Sequence, residues 1–162
     1  MKKCLLGMKM KLNIPNVGEI IIKNIVLDFN GTIAKDGQVK ESVKKYVNEL
    51  SSEFDIYVIT ADTHGSAAKN LSDTSVKLQI LTSNNHTKEK EKFVKSLENV
   101  FAVGNGSNDA LMLKAADLGV CIIEDEGVSV KSVMNADIVC KSIEDAFKLL
   151  IKPKRIIATL RE

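Results

Sequence analysis

Asn24-Ile25-Val26-Leu27-Asp28-Phe29-Asn30-Gly31-Thr32 is the stretch that decides the fold. A short unbroken apolar run closed by a glycine turn is the pattern of a strand buried on both faces. A carboxylate ending such a run is expensive to bury without a counter-charge or a task. Upstream, residues 10–22 read as a hairpin turning around Pro15-Asn16-Val17-Gly18, within an N-terminal extension of residues 1–22. Downstream, residues 39–52 carry Val39, Val43, Val47 and Leu50 at helical spacing, with charges between. Asp55-Ile56-Tyr57-Val58-Ile59-Thr60 is a second buried-strand run.

The alternation then continues without a break. Helical segments are expected at 64–71, 87–97, 107–116, 128–134 and 143–151, and strands at 76–81, 100–103, 118–123 and 137–140. The tail 153–162 reads as a short final helix with Pro153 in its first position. Strands alternating with helices of one to four turns predict an α/β fold. It is a three-layer, doubly wound, mostly parallel sheet with right-handed crossovers. At 162 residues the whole chain, 1–162, is expected to be one domain.

Composition narrows the function classes. Apolar residues make up 44% of the chain, enough for a real core. The net charge of +2 comes from 23 basic and 21 acidic residues with no long single-sign block, so neither nucleic acid nor an anionic membrane is indicated as partner. Aromatics at 4%, without Trp, argue against base stacking. No apolar run approaches the roughly 20 residues of a spanning helix. The stretch Met1-Lys2-Lys3-Cys4-Leu5-Leu6-Gly7 is too short in apolar residues for a signal peptide. A cytoplasmic protein is therefore expected. Cys4, Cys121 and Cys140 are odd in number and scattered, which fits buried free thiols in a reducing compartment.

Ligands of parallel α/β sheets sit beyond the carboxyl ends of the strands, so four places carry the chemistry. The first is Asp28-Phe29-Asn30-Gly31-Thr32, where a carboxylate can act as a phosphoryl-transfer nucleophile and Gly31 permits close backbone approach. The same residues also fit a plain β-turn. The second, Ile59-Thr60-Ala61-Asp62-Thr63, puts a hydroxyl and free N–H groups at a helix start, a phosphate seat. Asp62 and Thr63 fit helix capping equally well, and Asp62 has a lesser claim as an acid/base. The third is the run Thr87-Lys88-Glu89-Lys90-Glu91-Lys92, in which Lys90, with Lys88 in reserve, is placed to reach the strand ends. The fourth, Val103-Gly104-Asn105-Gly106-Ser107-Asn108-Asp109, groups oxygen ligands that suit Mg²⁺, although Asp109 also fits an early-turn helix carboxylate. His64, His86 and Glu124-Asp125-Glu126 read as solvated surface, the acidic loop having a second-cation site as its alternative.

These four places, in this order, resemble the haloacid-dehalogenase-like (HAD) superfamily over residues 23–150. That family's pattern is strand-Asp-x-Asp-Gly-Thr, a strand-end Thr or Ser, a Lys, and Gly-Asp-Gly-x-Asn-Asp; Asp28, Thr60, Lys90 and Asp109 fall on matching positions. Residues 104–119 resemble the hinge motif of P-type cation ATPases, and the whole is similar to small P-type-ATPase-like HAD proteins that lack membrane segments. The resemblance implies an aspartyl-phosphate on Asp28, with Thr60 and Lys90 holding the phosphoryl group. Gly31, Ala61 and Asn108 would complete the substrate side. Mg²⁺ would be held by Asp28, Asn30, Asn105 and Asp109.

Two positions depart from the pattern. Asn30 replaces the carboxylate that protonates the leaving group and later activates water, which an amide cannot do. Asn105 replaces a metal-ligating carboxylate with a neutral oxygen. The gaps after Thr32 and Thr60 are too short for a lid, so a capless domain is expected. Capless relatives act on large molecules or shield the site by oligomerising, so a homo-oligomer is possible. The sequence therefore predicts a slow Mg²⁺-dependent phosphohydrolase or phosphotransferase acting on a phosphorylated small molecule or macromolecule. Its rival is a degenerate HAD domain that binds a phosphorylated ligand or a protein.

Overall fold

In the computed structural model, which describes residues 10–162, the hairpin comes first: Met10–Ile14 (β1) and Gly18–Ile22 (β2) pair antiparallel. Asn16 turns the chain between them in the left-handed region, φ 62°. The expectations for residues 1–9, Cys4 among them, lie outside the described residues. Asn24–Asp28 forms β3, buried along its whole length as its sequence requires.

A small second hairpin follows, Ala34–Lys35 (β4) against Gln38–Val39 (β5). The sequence reading missed it, because two-residue strands are too short to show alternation. Its one signal is Asp36-Gly37, both at positive φ, the dipeptide that favours tight hairpin turns. The hairpin shortens the next helix to Glu41–Leu50 (α1).

Then come Asp55–Thr60 (β6), Ser66–Asn70 (α2), Lys77–Ile80 (β7), His86–Ser96 (α3) and Val100–Gly104 (β8). A 3₁₀ turn, Ser107–Asp109, runs into Ala110–Ala115 (α4). Leu118–Ile122 (β9), Val130–Val133 (α5), Ile138–Cys140 (β10), Ile143–Ile151 (α6) and Lys154–Leu160 (α7) complete the chain. Pro153 caps α7 rather than occupying its first turn.

The main sheet has six strands in the order β10-β9-β8-β3-β6-β7, every pair parallel. The chain enters in the middle at β3, winds outward to β7, then crosses to β8 and winds outward the other way. Loops leaving β3 and β8 therefore diverge, opening a crevice at their carboxyl ends.

Residue parity sorts the two faces. Ile25, Leu27, Phe101 and Val103 pack with Val43 and Val47 of α1, Phe147 of α6 and Ile156 of α7. Val26, Val100 and Ala102 pack with Val94 of α3 and with Met112 and Leu113 of α4. The three layers are those the alternation predicted. Among the described residues, Cys121 is buried and Cys140 partly so, and both thiols are free.

Helix α6 shows how local chemistry sets an element's start. The Ser142 hydroxyl accepts the Asp145 N–H at 3.1 Å, and Glu144 and Asp145 lie in the first turn. Ser142→Ala is expected to cost about 1 kcal/mol. In a thermal melt this is a fall of about 2–4 °C in Tm; an unchanged Tm would show that the cap contributes nothing.

Candidate active site

Asp28 shares the parity of Val26, so its side chain faces the α3–α4 layer at the end of β3. Lys90 meets it there. In α3, Lys90 and Val94 are the buried positions, four residues apart on one face, so the lysine is carried toward the sheet. Lys88 points elsewhere and pairs with Glu91 at the surface. The choice between the two lysines was thus written in the helical stripe.

Lys90 is 2% exposed, and its Nζ donates to Asp28 Oδ1 at 2.6 Å and to Asp109 Oδ1 at 2.7 Å. The other oxygen of Asp109, Oδ2, accepts the N–H groups of Asn105 at 3.0 Å and Gly106 at 2.9 Å. Thr32 Oγ1 donates to Asp28 Oδ2 at 3.2 Å and lies 3.3 Å from Asn105 Oδ1. Two glycines allow this density. A Cβ on Gly104 would lie 2.6 Å from Asp109 Cγ. Gly31 has φ +76°, and a Cβ there would lie 2.6 Å from Asn105 Nδ2 and 2.8 Å from Glu126 Oε2.

The loops frame a cavity of about 250 Å³ lined by Asp28, Asn30, Thr60, Ala61, Lys90, Asn105 and Asn108. Gly31 does not line it but lies against Asn105 and Glu126, which do. The structure therefore brings Asp28, Asn30, Thr60, Ala61, Lys90, Asn105 and Asn108 to one cavity, while Asp109 lies behind it. That carboxylate is 0% exposed with both oxygens engaged, so it holds Lys90 and the Asn105–Gly106 turn instead of facing the cavity. Asp62 is also spent: its carboxylate accepts the N–H groups of Ala67 at 2.9 Å and Ala68 at 3.3 Å, capping α2.

Two cavity residues were read chiefly as solvated surface, His86 and Glu126, the latter with a second-cation site as its alternative. His86 stands four residues before Lys90 on the same helical face, which is the signal that could have found it. Glu126 follows β9, a strand end that lay beyond the four places inspected.

The charges form one unit. Burial, then the negative charge of Asp109, push the Asp28 carboxyl from its ordinary 3.8 up to about 7, against the pull of Lys90. Burial works against the Lys90 ammonium, but the two carboxylates outweigh it and hold its pKa above the usual value. The two shifts agree when the groups are taken together: one ammonium between two carboxylates leaves an excess negative charge, which protonation of Asp28 relieves.

A carboxyl whose folded pKa is raised stabilises the fold below its ordinary pKa, and that stability is lost as pH rises to the folded value. The metal-free protein should therefore lose stability between pH 4 and about 7 through Asp28. Asp28→Asn is expected to gain Tm over the parent by several degrees, the gap opening across that range and constant above it. Thermal melts across this range test the point, and a constant gap at all pH values would contradict it.

Among the described residues no three His, Cys, Asp or Glu side chains form a ready metal cage. The oxygen donors at the cavity are a mixed set: the Asp28 and Glu126 carboxylates and the Asn30 and Asn105 amides. An all-oxygen set with one or two carboxylates fits Mg²⁺, which keeps several of its waters.

No family model matches the chain. Among solved structures, it superposes on a Legionella pneumophila protein assigned to subfamily III A of the HAD superfamily with a TM-score of 0.68 at 10% identity, covering 86% of this chain and 87% of that one. The chain has the HAD fold. The 3-deoxy-D-manno-octulosonate 8-phosphate phosphatase of Moraxella catarrhalis, solved with magnesium, phosphate and the sugar acid KDO, also matches this HAD-fold chain. Its TM-score is 0.68 at 13% identity, over 86% of this chain and 94% of that one.

By sequence, the chain is 51% identical over 63 residues to the uncharacterized protein MJ0073 of Methanocaldococcus jannaschii, 39% of this chain and 68% of that one, and belongs to its family. It is 36% identical over 104 residues to the probable copper-exporting P-type ATPase of Archaeoglobus fulgidus, which is 63% of this chain but 13% of the ATPase. Among the described residues, no lid domain interrupts the alternation of the sheet. Only β4, β5 and α1 lie between β3 and β6, and only α2 and β7 between β6 and α3. Among the described residues, no helix is long and apolar enough to cross a membrane.

Proposed function

We propose that the chain is a phosphohydrolase acting on a phosphorylated small molecule through an aspartyl-phosphate on Asp28. The observation that carries this reading is the buried Asp28–Lys90–Asp109 unit at the mouth of a polar cavity. A carboxylate placed there at such electrostatic expense is more consistent with a nucleophile than with a structural ion pair.

In this reading an Asp28 oxygen attacks phosphorus, the new P–O bond forms, and the leaving oxygen departs with its electron pair. Lys90 and the Thr60 hydroxyl balance the charge on the transferred oxygens. Water then attacks phosphorus, the bond between phosphorus and the Asp28 oxygen breaks, and phosphate leaves carrying one of the water's protons while the other passes to solvent, with the Asp28 carboxylate restored. Bound Mg²⁺, held by Asp28, Asn30 and Asn105, would add neutralisation of the phosphoryl charge. The Asn30 amide supplies no proton to the leaving oxygen, so departure depends on the leaving group's own acidity and turnover is slow.

Asn30 and Asn105 also favour a second reading, a binding module built on the catalytic frame. Hydrolysis of an aryl phosphate, with and without Mg²⁺, separates the two. It is measured for the parent, for Asp28→Asn and for the paired change Asn30→Asp with Asn105→Asp. The phosphohydrolase reading expects metal-dependent activity that Asp28→Asn abolishes and the paired change increases. A silent parent beside an active paired variant would select the binding module.

A further inference from the structure

We infer that Glu126 supplies the anionic metal ligand that Asn105 cannot, so that the divalent cation is held partly from the loop between β9 and α5. The inference rests on the reading above that this cavity holds a divalent cation.

The deficit comes first. Position 105 presents a neutral amide, and Asp109 has both oxygens committed within the fold. That leaves Asp28 as the remaining carboxylate from the matched motifs, and Lys90 already neutralises much of its charge. A hard divalent ion gains little from such a set.

Glu126 fills the gap by position. It lines the same cavity as Asp28 and Asn105. Its Oε2 and the Asn105 amide converge over Gly31, since both lie within 3.0 Å of the point a Cβ on that glycine would occupy. Gly31 thus clears the space in which the two side chains meet.

The loop is built to hold Glu126 there. Asn105 Nδ2 donates to the Gly127 carbonyl at 3.2 Å, and the Ser129 N–H donates to the Asn105 carbonyl at 2.8 Å. The amide is thereby oriented with Nδ2 toward the loop and Oδ1 toward Thr32. The neighbouring acids are engaged elsewhere. Asp125 pairs with Lys35 of the β4–β5 hairpin. Glu124 lies 3.5 Å from Lys40 Nζ and accepts the Ile143 N–H at 2.8 Å. The Gly127 N–H closes the turn on the Glu124 carbonyl at 2.8 Å, with Gly127 at φ +82°. Of the three acids, Glu126 is the one that lines the cavity with Asn105, and that geometry, not the acidic run, carries the inference.

Manganese serves as the probe, because the six-line electron paramagnetic resonance signal of free Mn²⁺ disappears on binding and reports affinity without any turnover. The parent, Glu126→Gln, Asn105→Asp and the double variant would be titrated, with Mg²⁺ added as competitor and a thermal melt confirming that each is folded. Glu126→Gln is expected to weaken Mn²⁺ binding at least about tenfold, a loss of the order seen when a metal site's supporting groups are removed. Adding Asn105→Asp to it should restore at least the parent's affinity. Parent-like binding in Glu126→Gln would overturn the inference. If the parent fails to bind while Asn105→Asp binds, the Glu126 inference fails and the cation site stands. If neither binds, the cation reading itself fails and takes the inference with it.

Discussion

Lys90→Met is expected to destabilise the protein by about 3–5 kcal/mol, because it strips the shared counter-charge from two buried carboxylates. Asp28 and Asp109 would then face each other across the gap left by an ammonium that now lies 2.6 Å and 2.7 Å from their oxygens. Urea unfolding measures the loss directly. Lys88→Met is the control: its surface pair with Glu91 makes a change within about 0.5 kcal/mol the expected result. The coupling has a further signature. In an Asp28→Asn background the Lys90→Met penalty should shrink, since only one carboxylate then needs the lysine. Equal penalties in both backgrounds would show that Lys90 acts by packing alone.

Asp28→Asn should lower aryl-phosphate turnover at least about a thousandfold, to the assay background, as expected when a covalent nucleophile is removed. The same variant should be the more stable protein above pH 7, because it removes a carboxyl that burial and Asp109 hold up to about 7. Loss of activity with a gain of stability is the mark of a residue kept for chemistry. A variant that keeps more than a tenth of the parent's rate would move the nucleophile elsewhere in the cavity.

Most of the fold was legible because its strands are short apolar runs buried on both faces and its helices carry regular stripes. Val43, Val47 and Leu50 predicted the inward face of α1, and all three are buried. The β4–β5 hairpin was not legible, since Lys35 and Gln38 look like ordinary loop residues until they pair. In the site, the strand-end rule pointed to Asp28, Thr60 and Asn105, which line one cavity, while the preference for Lys90 over Lys88 gains its physical reason only from the buried Lys90–Val94 face of α3. That Asp109 turns away from the cavity was not legible, because sequence gives no account of its two oxygens. These are taken by Lys90 and by two backbone N–H groups of its own turn. Glu126 was read mainly as exposed loop, with a second-cation site as the alternative, because one cavity-facing acid in a run of three looks no different from its neighbours. The lysines that occupy Asp125 and Glu124 lie far upstream in the chain, Lys35 in the hairpin and Lys40 at the start of α1.

Beryllofluoride, which mimics a phosphoryl group on a carboxylate, tests the central claim most directly. With Mg²⁺ present, the parent protein should show a bound ¹⁹F resonance that is absent in Asp28→Asn and absent without the metal. A parent sample with no bound resonance, or a resonance that survives in Asp28→Asn, would contradict an aspartyl-phosphate at the end of β3.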